Sequence, residues 1–215
     1  MLMIKILVIV TNLSLAAAIH SAGAVDWIDV RRKLNIYLAS GTLNDAHSFM
    51  SSIPITFSGV EWAACMKNRD CADSLTALVM EIEEHDLVEK NLKRRMLSGQ
   101  EPAVLVGFTI TRFVEAAPAE EISGFLGEVA STHPAIFIKA VQSLPWDKSE
   151  LCAVVPVLGD RFVDHVDAMK KELARRRVAL NAVKGLSKDG ERVKEICLMT
   201  LKKEEKKLSR LDVSP

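Results

Sequence analysis

Residues 102–138 read PAVLVGFTITRFVEAAPAEEISGFLGEVASTHPAIFI. The run Pro102-Ala-Val-Leu-Val106 returns as Pro134-Ala-Ile-Phe-Ile138, 32 residues later. Between them, 16 residues after Pro102, lies Pro118-Ala119-Glu120-Glu121-Ile122. Proline lacks a backbone N–H, and the first turn of a helix is where that donor is not needed. Three prolines on this beat predict three helices of about 15 residues, joined as antiparallel pairs. A period of about 30–45 residues is also the range of α-helical repeats. The expected fold is therefore all-α, built as an α-solenoid-like array of helix pairs or as an irregular helical bundle.

Upstream, the pattern stays helical. Asp26 is placed to cap a helix running to about Ser40, with Trp27, Val30, Leu34 and Leu38 on one face. Gly41 ends it, and a short helix from Thr42 to Ser51 follows. Residues 52–59 read as a connector, and the one strand-like run, Ile53–Phe57, contains Pro54. Another helix starts near Val60, and a longer one is expected from Asp73 to Leu97, stopped by Ser98-Gly99.

Downstream, Pro145, Pro156 and Gly159 mark breaks. A long helix is then expected from Asp160 to about Lys184, with Phe162, Val166, Met169, Leu173, Leu180 and Val183 on a 4-3 seam that Arg176 interrupts. After the turn at Gly185–Gly190, a last helix runs from about Glu191 to Leu211, with Val193, Cys197, Leu201, Leu208 and Leu211 facing inward. Residues 160–215 thus read as a long-helix hairpin packed on a helical array of residues 25–159.

The N-terminus reads as an export signal. In residues 1–24, Lys5 precedes a 14-residue stretch, Ile6–Ile19, that is apolar but for Thr11, Asn12 and Ser14, and Ala22-Gly23-Ala24 supplies a small-residue cleavage pattern. A bilayer needs about 20 apolar residues to be spanned, so this run is short for a transmembrane helix. No cysteine follows the small residues, so a lipid anchor is not indicated. The expected mature chain begins at Val25 and is a soluble periplasmic or secreted protein. No later stretch approaches 18 uninterrupted apolar residues.

The four cysteines, Cys65, Cys71, Cys152 and Cys197, all lie in the mature part, where an even count favours disulfides. On one continuous helix Cys65 and Cys71 would stand about 9 Å apart along the axis, too far to bond. Pairing them requires a helix break within Met66–Asp70 and leaves Cys152 for Cys197. No Cys-x-x-Cys and no histidine at ligand spacing supports a metal site on these cysteines, and the spacing is not that of a thioredoxin motif.

The chain has 28 basic and 28 acidic side chains, 49% hydrophobic and 5% aromatic residues. Such a balance excludes disorder, nucleic-acid binding through overall charge, and aromatic stacking platforms for single strands. The charge is unevenly placed: residues 25–159 carry net −6 and residues 160–215 net +5. Arg175-Arg176-Arg177 and Lys202-Lys203-Glu204-Glu205-Lys206-Lys207 are the basic clusters, candidates for an electrostatic docking site.

Signals for catalysis are weak. Glu81, His85 and Glu89 share a helix face at i, i+4 and i+8, but about 12 Å of axis separates the first from the last, so one ion cannot touch all three. Asp160, Asp164, Asp167 and His165 cluster where the long helix is expected to start, as the macrodipole favours, without the spacing of a calcium loop. His47 and His133 stand alone, and no nucleophile elbow, phosphate loop, dinucleotide fingerprint or His-Glu-x-x-His occurs. The expected function is binding of a protein partner, as an inhibitor or immunity-type module, with no cofactor and no nucleic acid. A metal-dependent hydrolase using the Glu81–His85–Glu89 face or the Asp160–Asp167 cluster is the alternative. A structural protein of the cell envelope is the third reading.

Overall fold

The computed structural model describes residues 25–55, 59–84, 88–114, 116–159, 162 and 165–211. Among them are eleven α-helices and no strand. The export signal at 1–24, and with it Lys5, Ala22 and Ala24, lies outside the described residues.

Helix α1 (Trp27–Ser40) begins as its sequence dictates: the Asp26 carboxylate accepts from the amides of Ile28 and Asp29, both at 3.1 Å. It ends at Gly41, whose φ of +70° is a left-handed closure that glycine adopts without strain. Thr42 caps α2 (Leu43–Met50) through its hydroxyl. Helices α3 (Gly59–Met66) and α4 (Arg69–Glu84) are separated by Lys67 and Asn68, the break that the Cys65–Cys71 pairing requires.

The helix expected from Asp73 to Leu97 is not continuous. After α4 come a six-residue segment of wider i→i+5 turns, Val88–Lys93, and the short α5 (Arg94–Leu97). Residues 85–87, between α4 and the wider turns, lie outside the described residues. The wider turns carry Lys93 over the ring of Phe125, 4.5 Å from its centroid.

The three prolines do start helices: α6 (Glu101–Ile110), α7 (Ala116–Thr132) and α8 (Pro134–Ser143). In α6, every residue from Ala103 to Ile110 is buried. A helix apolar on all sides must be wrapped on all sides, and α2, α5, α7 and α8 do so. Phe108 of α6 meets Phe137 of α8 with ring centroids 5.6 Å apart, and Trp27 meets Phe113 at 5.5 Å. A central helix covered by a partner as distant in sequence as α2 describes an irregular bundle, since solenoid repeats touch only their neighbours.

Helix α9 (Lys148–Cys152) is an extra turn capped by Asp147, whose carboxylate accepts from the amides of Ser149 and Glu150. The expected helix from Asp160 is shorter: α10 is Val166–Ala182. Upstream of it the amides of Phe162 and His165 close tight turns onto the carbonyls of Gly159 and Phe162, so the regular helix starts only afterwards. On the predicted seam Leu173, Leu180 and Val183 are buried, whereas Phe162, Val166 and Met169 are half-buried. Helix α11 (Lys188–Leu211) completes the chain, with Val193, Cys197, Leu201 and Leu208 inside. It packs on α8, α9 and α10, while α10 packs on α7. No described helix is long and apolar enough to cross a membrane.

Candidate functional site

The inward residues of α11 recur every three or four positions, so its opposite face is set by the same periodicity. That face carries Arg192, Glu195, Met199, Lys202, Lys203, Lys206 and Arg210, all exposed. From Met199 to Arg210 every exposed charged side chain is a cation. Met199 itself is 64% exposed, a single apolar contact point at the upstream edge of the cationic patch.

The two acids in this stretch are turned aside. Glu204, half-buried, takes the Lys207 ammonium at 2.6 Å, and Glu205 takes the Arg177 guanidinium of α10 at 3.3 Å. Lys202, Lys203 and Lys206 have no ion-pair partner among the described residues. Cations near a helix C-terminus favourably oppose the macrodipole, but that effect fades beyond the last turn. Lys202 and Lys203 lie two turns before Leu211, so the dipole does not account for them.

The arginine cluster is split three ways by the same geometry. Arg177 is exposed beside Glu205. Arg175, half-exposed, forms a two-pronged pair with Glu172, with contacts of 2.8 and 2.9 Å. Arg176 is 1% exposed and is no surface residue, which corrects its placement among the docking cations. Its position on the Leu173–Leu180 side of α10 turns it into the core. There it donates to Glu172 at 2.9 Å and to the carbonyls of Val155 and Val157 at 2.6 and 2.7 Å. The guanidinium is laid against Gly127 of α7, where a Cβ would clash with its Nη1 and sit 2.9 Å from the carbonyl oxygens of Val154 and Val157. Burial opposes the ionisation of Glu172, but its hydrogen bonds to Arg175 and Arg176 outweigh that and hold the carboxyl below its ordinary range. Gly127 and Glu172 escaped the sequence reading. The small pair Gly124 and Gly127 inside a helix was the available signal, because glycine there marks close approach.

The other candidates do not assemble. Glu81 pairs with Arg31 and accepts from the Asn35 amide at 2.9 Å, so it is bound to α1. His85 and the side chain of Glu89 lie outside the described residues, as do Asp160 and Asp164. Asp167 is exposed in the first turn of α10, and His165, at the cap position, makes no capping bond. His47 is exposed, and the His133 ring hydrogen-bonds through Nε2 to the Leu97 carbonyl at 3.0 Å. Among the described residues no three His, Cys, Asp or Glu converge on a point where a metal ion could sit.

Cys65 is joined to Cys71 and Cys152 to Cys197, with Cα–Cα distances of 5.2 and 4.8 Å. The second bridge is fully buried and ties α9 to α11, fixing the helix that presents the cationic face.

No family model, no curated protein and no solved structure matches the chain.

Proposed function

We propose that the protein is an exported protein-binding module whose cationic α11 face holds an acidic surface of its partner, as an inhibitor or immunity-type protein would. The observation that carries this reading is the run of exposed cations Lys202, Lys203, Lys206, Lys207 and Arg210, of which Lys207 is paired with the half-buried Glu204. Isolated surface charges contribute little, but a patch of one sign steers and orients a complementary surface. The helix presenting them is tied to α9 by a buried disulfide, which fixes its backbone in the fold. Two disulfides also fit an oxidising compartment, as the signal at residues 1–24 implies.

The test starts from the partner. Mature protein is used as bait in envelope extracts, and affinity for the captured protein is then measured at two salt concentrations. Replacing Lys202, Lys203, Lys206 and Lys207 by alanine should weaken binding and flatten its salt dependence while leaving thermal unfolding unchanged. Exposed charges are screened over about 8–10 Å at physiological salt, so the loss should be largest in dilute buffer. Equal affinity and equal salt dependence would reduce the basic face to a solvated surface.

A further inference from the structure

The two disulfides sit in opposite surroundings. Cys152 and Cys197 are both 0% exposed, closed in beneath α9 and α11. The other bridge is less enclosed: Cys65 is buried at 8% exposure, Cys71 is half-buried, and all five residues between them are exposed. This bridge joins the end of α3 to the first turn of α4.

Among the described residues, helix α3 packs mainly on α4. It is eight residues long, and isolated helices shorter than about 12–15 residues are marginal in water. The bridge also ties it to α4. Among its described side chains Cys65 is buried and Trp62 half-buried, while Ala63, Ala64 and Met66 are exposed. Among the described side chains of α3, the attachments are therefore Trp62 and the Cys65–Cys71 bond.

We propose that Cys65–Cys71 is a reducible clip: a dithiol reductant opens it selectively, releasing α3 and baring Trp62, while Cys152–Cys197 keeps the remaining helices closed. The protein is the substrate of this exchange, not its catalyst. A thiolate of the reductant attacks Sγ of Cys71, the less buried of the two residues. The Cys65–Cys71 bond breaks, Cys65 leaves as a thiolate and takes a proton, and a mixed disulfide forms on Cys71. The second thiol of the reductant then attacks its own sulfur in that mixed bond, freeing Cys71 as a thiol. The protein gains two electrons and two protons, and the reductant is left as its own disulfide. Selectivity follows from access, because the attacking sulfur must reach the bond in line and the buried bridge offers no approach.

The test is a titration of the folded mature protein with dithiothreitol, quenched by alkylation and mapped by mass spectrometry. Cys65 and Cys71 should be alkylated well before Cys152 and Cys197. Over the same range, amide hydrogen exchange in Gly59–Met66 should accelerate by roughly tenfold or more, with α10 and α11 unchanged. A Cys65→Ser/Cys71→Ser variant should reproduce that exchange pattern without reductant, and Trp62 fluorescence, read against a Trp62→Phe variant, should shift to the red. Parallel reduction of both bridges would overturn the proposal. So would unchanged exchange in Gly59–Met66 once Cys65 and Cys71 are free thiols, which would make the bridge a passive staple.

Discussion

Gly127→Ala sets local propensity against packing. Gly127 lies inside α7, and on helix propensity alone alanine there should stabilise by about 0.5–1 kcal/mol. The packing predicts the opposite sign. The new Cβ would occupy the space of the Arg176 guanidinium and crowd two carbonyl oxygens of the 154–157 segment. Either the arginine withdraws or α7 moves away from that segment. Withdrawal leaves Glu172 with Arg175 alone and strips the carbonyls of Val155 and Val157 of their donor. Breaking a buried charge pair typically costs about 3–5 kcal/mol. Net of the propensity gain, Gly127→Ala should destabilise by about 2–4 kcal/mol, a large share of a total stability of about 5–15 kcal/mol. Urea unfolding followed by circular dichroism should show the midpoint falling by about 1–2 M, at slopes of about 2 kcal/mol per M. Gly124→Ala, one turn away, is the internal control: its Cβ meets only the Gly159 backbone at 3.5 and 3.6 Å, ordinary contact distances. That variant should be neutral or more stable. A Gly127→Ala protein at least as stable as wild type would refute the reasoning.

The core and its charges yield further tests. Leu173→Ala removes a fully buried side chain on the α10 seam and should cost roughly 2–5 kcal/mol, whereas Lys206→Ala on the solvent face should stay within about 0.5 kcal/mol by the same denaturation assay. Because folding lowers the Glu172 pKa, its contribution is fully present above its ordinary value near 4.3 and is lost as pH falls through the lower native value. Wild type should therefore lose more stability below about pH 4 than Glu172→Gln, as thermal unfolding across pH 2–6 would show. By chain-entropy arithmetic, removing Cys152–Cys197 with two serines should cost about 4 kcal/mol, against about 2 kcal/mol for the short Cys65–Cys71 loop, measurable as midpoint differences in urea.

The helical class was legible because its determinants are local. Asp26, Gly41 and Thr42 act within one turn of where they stand, and Pro102, Pro118 and Pro134 set helix starts by the geometry of their own rings. The break at Lys67 and Asn68 followed from the Cys65–Cys71 pairing, because a continuous helix cannot close that distance. Misreadings arose where distant segments decide. Three consecutive arginines look like a surface cluster, yet a 3.6-residue period sends only the middle one inward. Nothing near Arg176 in sequence announces the carbonyls of the 155–157 segment or the gap at Gly127 that receive it. The helix from Asp73 looked regular because its apolar spacing is continuous, and that spacing does not announce the wider turns at Val88–Lys93. Of the candidate site, the lysine run of α11 was visible as composition. Which of its acids would turn aside was not, because Arg177 reaches Glu205 from another helix.

Helix α6 has a consequence for the export proposed above, and only if that proposal holds. A polypeptide threaded through a membrane unfolded, N-terminus first, brings Ala103–Ile110 out before the Ala116–Ser143 region that later covers it. For that interval the most apolar stretch of the mature sequence has only lipid or water for company. Its eight residues extend about 12 Å as a helix, less than half the roughly 30 Å hydrocarbon thickness. Glu101 borders it on one side and Arg112 on the other. The segment is thus apolar enough to form the centre of the bundle, yet too short to lodge in the bilayer during transit.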